Sequence, residues 1–154
     1  MVMVRQANAA DAEGMGQVLE ALLAAGRRQK PGDTGFARAH YLEHPDLIAI
    51  MVAVDPSGRI MGFQSLKRAM PGNELGVTPG WGIIGTHVHP GATRRGVGRK
   101  LFAPTRGAAE TAGLGRVEAT IGRTNAGALA YYRAMGFETW REGDGLVRQV
   151  LRLD

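Results

Sequence analysis

Cysteine is absent from all 154 residues. This excludes disulfide frameworks, thiolate zinc sites and a cysteine nucleophile, and no metal centre is expected. Aromatic residues are scarce, with two Trp, three Tyr and four Phe. Long hydrophobic runs are also missing. Leu47–Val54 is among the longest, far short of the roughly 20 residues a helix needs to span a bilayer. Met1–Gly14 has an acid at Asp11 and no apolar segment, so no signal peptide is expected. A cytoplasmic protein without a membrane partner is the simplest reading. At 154 residues and 44% hydrophobic composition, the chain should fold as a single domain over 1–154 with a real core.

Acids are fewer than bases, giving a net charge of +5 and a pI near 10.2. Such a balance suits nucleic acid, anionic surfaces or small polyanions. The cluster Arg94, Arg95, Arg99 and Lys100 is interrupted by Gly96 and Gly98 and contains no aromatic residue. Single-strand binding needs stacking side chains among the charges, so a local phosphate site is preferred and no nucleic-acid partner is expected.

Residues Met1–Gln6 read as a strand. Asn8 or Asp11 then caps a helix with Met15, Val18, Leu19, Leu22 and Leu23 at helical spacing. Phe36–His44 reads as a second short helix. Leu47–Val54 and Arg59–Arg68 form a hairpin around Asp55–Gly58, and Trp81–Val88 is the next strand after a loop, Met70–Gly80. A helix from near Gly96, a strand Arg116–Ile121, a helix Thr124–Met135 and a final hairpin, Gly136–Arg141 with Leu146–Leu153, complete the chain. Hairpins mixed with helical crossovers predict an α/β (mixed α+β) domain around one mixed sheet.

The segment from Val88 to Leu101 carries the strongest chemical signal. An apolar strand, a proline turn and then Gly96-Val97-Gly98 open an amphipathic helix. Glycines allow close backbone approach. The first helical N–H groups lack internal partners and carry the positive end of the dipole, so the segment suits a diphosphate. Arg94, Arg95 and Arg99 add cationic donors. No Gly-Lys-Ser/Thr ending is present, and Leu101 stands where a dinucleotide fingerprint needs its third glycine, so both of those nucleotide folds are excluded.

Val88-x-Pro90, followed by Gly96-x-Gly98, resembles the acetyl-CoA motif of the GNAT N-acetyltransferase superfamily. Thr93 stands where that family usually has Arg or Gln, and Arg94 where glycine is common. A second segment, Asn125 through Ala128 and Tyr132 to Gly136-Phe137, is similar to the family's Asn-x-x-Ala-x-x-x-Tyr-x-x-x-Gly-Phe element. The resemblance implies a single GNAT-like domain, with a twisted sheet of about seven strands flanked by helices. It implies direct transfer of acetyl from acetyl-CoA to a primary amine, with a small-molecule acceptor leading. Acetylation of a protein N-terminus or lysine, and a non-catalytic acyl-CoA-binding module, are the alternatives.

The resemblance also implies residue roles. The strand ending at Val88 should splay from its neighbour, presenting the Val88 amide to the pantetheine arm or thioester. Gly96, Val97 and Gly98 should hold the diphosphate. Tyr132 should protonate the departing sulfur, with Tyr131 as the fallback. Asn125 caps a helix, contacts the cofactor arm, or does both. Among His40, His44, His87 and His89, His87 is nearest in sequence to the expected thioester site and is the candidate base; ordered water is the alternative. A homodimer by exchange of the C-terminal strand is a further arrangement the family uses.

Overall fold

The computed structural model describes residues 1–92 and 95–154. Its seven strands are β1 (Met3–Gln6), β2 (Leu47–Val54), β3 (Ile60–Arg68), β4 (Gly82–Val88), β5 (Arg116–Gly122), β6 (Glu138–Gly143) and β7 (Leu146–Arg152). They form one sheet in the order β1-β2-β3-β4-β5-β7-β6. Among the described residues the α-helices are α1 (Ala12–Ala24), α2 (Thr34–Ala37), α3 (Val97–Thr111) and α4 (Ala126–Ala134). The expected architecture and strand number are both present.

Each face of the sheet is covered by its own helices because the strand residues alternate. Ile50, Val52 and Phe63 point to one side, against Met15, Val18 and Leu19 of α1 and Tyr41 beyond α2. Met51 and Ala53 point to the other, against Val97 and Leu101 of α3. Further along that second face, Leu66, Ile84, Val117, Ala119 and Ile121 pack on Phe102, Tyr132 and Phe137. Burying a Leu or Phe side chain is worth about 1.5–3 kcal/mol, so these two apolar layers hold the helices on the sheet.

Local differences from the sequence expectation have identifiable causes. Asn8 caps a short 3-10 turn, Ala9–Asp11, rather than α1 itself. Asp11 is the residue before α1 but makes no side-chain cap bond there; its carboxylate takes Arg5 Nη1 and Nη2 at 2.8 Å each. Leu23 is 39% exposed, the far edge of the α1 stripe. The second helix begins two residues earlier than expected because Asp33 Oδ1 accepts from Phe36 N at 2.8 Å. It then widens into a π-helical turn, Arg38–Leu42. Among the described residues no helix is long and apolar enough to cross a membrane.

One register positions everything that follows. β4 and β5 are the parallel pair, and they are registered only at Gly82↔Val117 and Ile83↔Glu118. β4 remains paired to β3 along its whole length, from Gly82 to Val88. From Ile84 onward β4 therefore diverges from β5, and the backbone edge facing β5 is left open. The expected splay is present.

Candidate active site

The divergence of β4 from β5 opens a cleft of about 1160 Å³. Its walls come from four places: the end of β4 (Thr86, His87, Val88), the mouth of α3 (Gly96 to Arg99), the start of α4 (Asn125, Tyr131, Tyr132) and the chain after α1 (Arg27, Arg28). Residues far apart in sequence meet here because α1 ends, and α3 and α4 begin, beside the diverging end of β4.

At the α3 mouth, Gly96 has φ +72°, a left-handed conformation that side-chain-bearing residues rarely adopt. Lys100 N makes the first helical bond to Gly96 O at 3.1 Å. The amides of Val97, Gly98 and Arg99 precede that bond and form the positive end of the helix. Arg99 lines the cleft, whereas Arg95 is exposed and outside its lining. Arg94 lies outside the described residues. These amides and the Arg99 cation fit a diphosphate.

Asn125 begins α4. Its Oδ1 accepts from Ala128 N at 3.1 Å, an N-cap worth about 1 kcal/mol, and the residue also lines the cleft. Both readings of Asn125 are thus compatible with its position. Val88 packs partly against the Ala53–Leu101 cluster while bordering the cleft.

The two tyrosines of α4 occupy different environments. Tyr131 donates to Gly98 O at 2.8 Å and accepts from Gln64 Nε2 at 2.9 Å, so its single hydrogen is committed to the α3 mouth. Tyr132 is 5% exposed, packed edge-on to Phe137, and its hydroxyl lies 2.7 Å from Thr86 Oγ1. Burial holds the Tyr132 phenol well above the ordinary value, against the opposing bond from Thr86. The phenol is therefore protonated through neutral pH, and of the two it is the one whose hydrogen is not fixed on a carbonyl.

His87 is on the opposite face of β4 from Thr86, as alternation requires. Its Nε2 lies 3.1 Å from Tyr41 Oη, and its ring lies against Phe63 at 4.7 Å. Burial, and then the nearby Arg28, His40 and Lys67 charges, lower its pKa to about 3. Burial and Lys67 bring His40 to about 4. His87 thus borders the cleft as a neutral imidazole. His89 serves the turn, its Nδ1 accepting from Gly91 N at 2.9 Å.

On this α1-facing side a group of cations surrounds the aromatic residues. Arg28 and Lys30 lie over the Phe36 ring, each 5.6 Å from its centroid, and Lys67 lies 5.1 Å over Tyr41. Among the described residues the ion pairs are Arg5–Asp11, Arg116–Asp154 and Arg148–Glu118, so none of these three cations is neutralised by a carboxylate within 4 Å. Sequence reasoning missed Arg28, Thr86 and Gln64 as site residues. Gln64 was visible only as a lone amide within an apolar strand. Among the described residues no group of three or more His, Asp or Glu side chains is arranged to hold a metal.

The sequence matches the Acetyltransferase (GNAT) family over residues 16–137, and the chain belongs to that family. Acetyl-CoA is the acetyl donor that the family's chemistry uses. No curated protein sequence matches the chain. Among solved structures, it is similar to a candidate phosphinothricin N-acetyltransferase, with 18% identity, a TM-score of 0.80 and coverage of 100% and 99% of the two chains. It is similar to YncA, a candidate acetyltransferase from Salmonella typhimurium solved with its cofactor acetyl-CoA (23% identity, TM-score 0.78, 99% and 94% covered). It is also similar to a GCN5-related N-acetyltransferase from Kribbella flavida (22%, 0.80, 99% and 98%). At these identities the likeness is one of fold.

Proposed function

We propose that the protein transfers the acetyl group of acetyl-CoA directly to the primary amine of a small molecule within a ternary complex. The observation that carries this reading is Tyr132: a protonated, buried phenol that lines the same cleft as the α3 mouth. A module that only bound acyl-CoA would have no use for a proton donor there. Bound acetyl-CoA would supply an activated acetyl group and a sulfur leaving group.

The chain's own residues then divide the work. Gly96, Val97, Gly98 and Arg99 hold the diphosphate, and Asn125 borders the path from it. The open edge of β4, with the Val88 amide, orients the arm by strand-like hydrogen bonds, removing most of the orientational entropy from the reaction. Tyr132 gives its proton to the departing sulfur. His87 faces the amine side as a neutral imidazole. With a pKa near 3 it is a weak proton acceptor, so in this reading water takes the amine's proton while His87 helps to guide the nitrogen.

The cations Arg28, Lys30 and Lys67 favour an acceptor that carries an oxyanion as well as its amine. One structural neighbour bears a name tied to phosphinothricin, a small molecule, which supports the small-acceptor reading. The test is coenzyme A release across an amine panel. Carboxylate-bearing amines should lead, polyamines and peptides should trail, and Arg28→Glu should raise KM for the leading acceptors at least tenfold. Release that is equal with and without every amine would overturn the proposal.

A further inference from the structure

The buried amide of Gln64 fixes the direction of a hydrogen-bond chain that ends at Tyr132. Gly98 O can only accept, so the one hydrogen of Tyr131 goes to it across 2.8 Å. Whatever Gln64 presents to Tyr131 Oη at 2.9 Å must then donate, which makes it Nε2. That same Nε2 lies 2.8 Å from Thr86 Oγ1 and gives it the second amide hydrogen. Thr86 Oγ1 accepts there, and its own hydrogen has a short partner in Tyr132 Oη, 2.7 Å away. Gln64 keeps this orientation although its Oε1 is buried with no hydrogen-bond partner among the described residues.

We infer that Gln64 and Thr86 are positioning residues for proton delivery: Gln64 polarises the Thr86 hydroxyl, and Thr86 donates to Tyr132 Oη, leaving the Tyr132 hydrogen directed into the cleft. The inference rests on the proposed role of Tyr132 as the acid. In the step itself the acceptor nitrogen bonds to the acetyl carbon, and the carbon–sulfur bond breaks with its electron pair on sulfur. The Tyr132 proton moves to that sulfur. The Thr86 hydroxyl then stabilises the phenolate oxygen by donation. The surplus proton on nitrogen goes to water, and water returns one to Tyr132, so the net products are the acetamide and the free thiol.

The test uses Thr86→Val, Thr86→Ser and Gln64→Met, each alone and combined with Tyr132→Phe, in the full chain. Melting temperature and acetyl-CoA Kd establish that each variant is folded and binds. Thr86→Val should lower kcat ten- to a hundredfold with Kd within about twofold, Gln64→Met should lower it several-fold, and Thr86→Ser should recover most of the rate. In a Tyr132→Phe background neither Thr86→Val nor Gln64→Met should lower the rate further, because both act through that phenol. A second readout needs no turnover. In protein carrying 3-fluorotyrosine, the fluorine resonance lost in Tyr132→Phe reports the surroundings of the Tyr132 hydroxyl at neutral pH, where its contact with Thr86 Oγ1 is 2.7 Å. Thr86→Val should displace that resonance and Thr86→Ser should return it. An unchanged resonance in Thr86→Val, or a further rate loss from it in the Tyr132→Phe background, would overturn the relay. A fully active Tyr132→Phe enzyme would instead overturn the acid assignment itself.

Discussion

Tyr131 and Gly98 are fitted to each other: the phenol donates to the glycine carbonyl at 2.8 Å, and a Cβ on Gly98 would lie 2.6 Å from Tyr131 Cε1. The ring occupies the space that any side chain at this position would need. Gly98→Ala should therefore push the α3 mouth and α4 apart. We expect a stability loss of about 1–3 kcal/mol, the usual cost of overpacking, and at least a tenfold weaker acetyl-CoA Kd. Urea unfolding and calorimetric titration would check both. Unchanged affinity would show that the diphosphate is held elsewhere.

Tyr132→Phe removes one oxygen from a ring whose packing against Phe137 is apolar. Turnover should fall about a hundredfold, the scale of lost acid catalysis, while acetyl-CoA Kd stays within about twofold. Steady-state kinetics beside equilibrium titration would separate the two effects.

The histidines make stability depend on pH. His87 and His40 have folded pKa values of about 3 and about 4, below the ordinary 6.5. The unfolded chain thus binds more protons between these values, and stability is full above about pH 6.5 and lost progressively as pH falls toward 4. The slope for each histidine stays below about 1.4 kcal/mol per pH unit. His87→Gln should flatten the decline in melting temperature from pH 7 to pH 4.5. The same depression means that His87 contributes no inflection near pH 6.5 to the kcat/KM profile.

Arg148 neutralises a carboxylate that has no access to water. Glu118 is 0% exposed and accepts from Arg148 Nη1 at 2.6 Å, Trp140 Nε1 at 2.9 Å and Thr120 Oγ1 at 3.3 Å. Removing the cation by Arg148→Ala should cost about 3–5 kcal/mol, the usual result of stranding a buried charge. The double variant with Glu118→Gln should recover part of it. Chemical unfolding of the three proteins tests this.

Local signals made most of the frame legible. The Asp55–Gly58 turn, the apolar alternation of β2 and β3, and the glycines flanking α3 each depend on neighbours in sequence, and these elements lie where the pattern put them. The α3 mouth and the α4 segment that carries Tyr132 could be located because their motifs are contiguous. Contacts made across the sheet were not. Nothing near Gln64 announces that it meets Tyr131, 67 residues away. Likewise, the basic run after α1 reads as a helix end, and only the fold brings Arg28 to the cleft. The Glu118 clamp draws on β5, β6 and β7 together, and in sequence Glu118 and Arg148 look like ordinary surface charges.

The narrow contact between β4 and β5 also has a mechanical meaning. At the level of the sheet, β1–β4 and β5–β7 are joined by just two registered pairs, Gly82↔Val117 and Ile83↔Glu118. The helices of the second face span this seam, but the ladder itself scarcely does. A molecule bonded along the free edge of β4 acts as a splint between two half-sheets. Occupancy should make them melt as one body, and amide protons along the seam should exchange far more slowly with it in place.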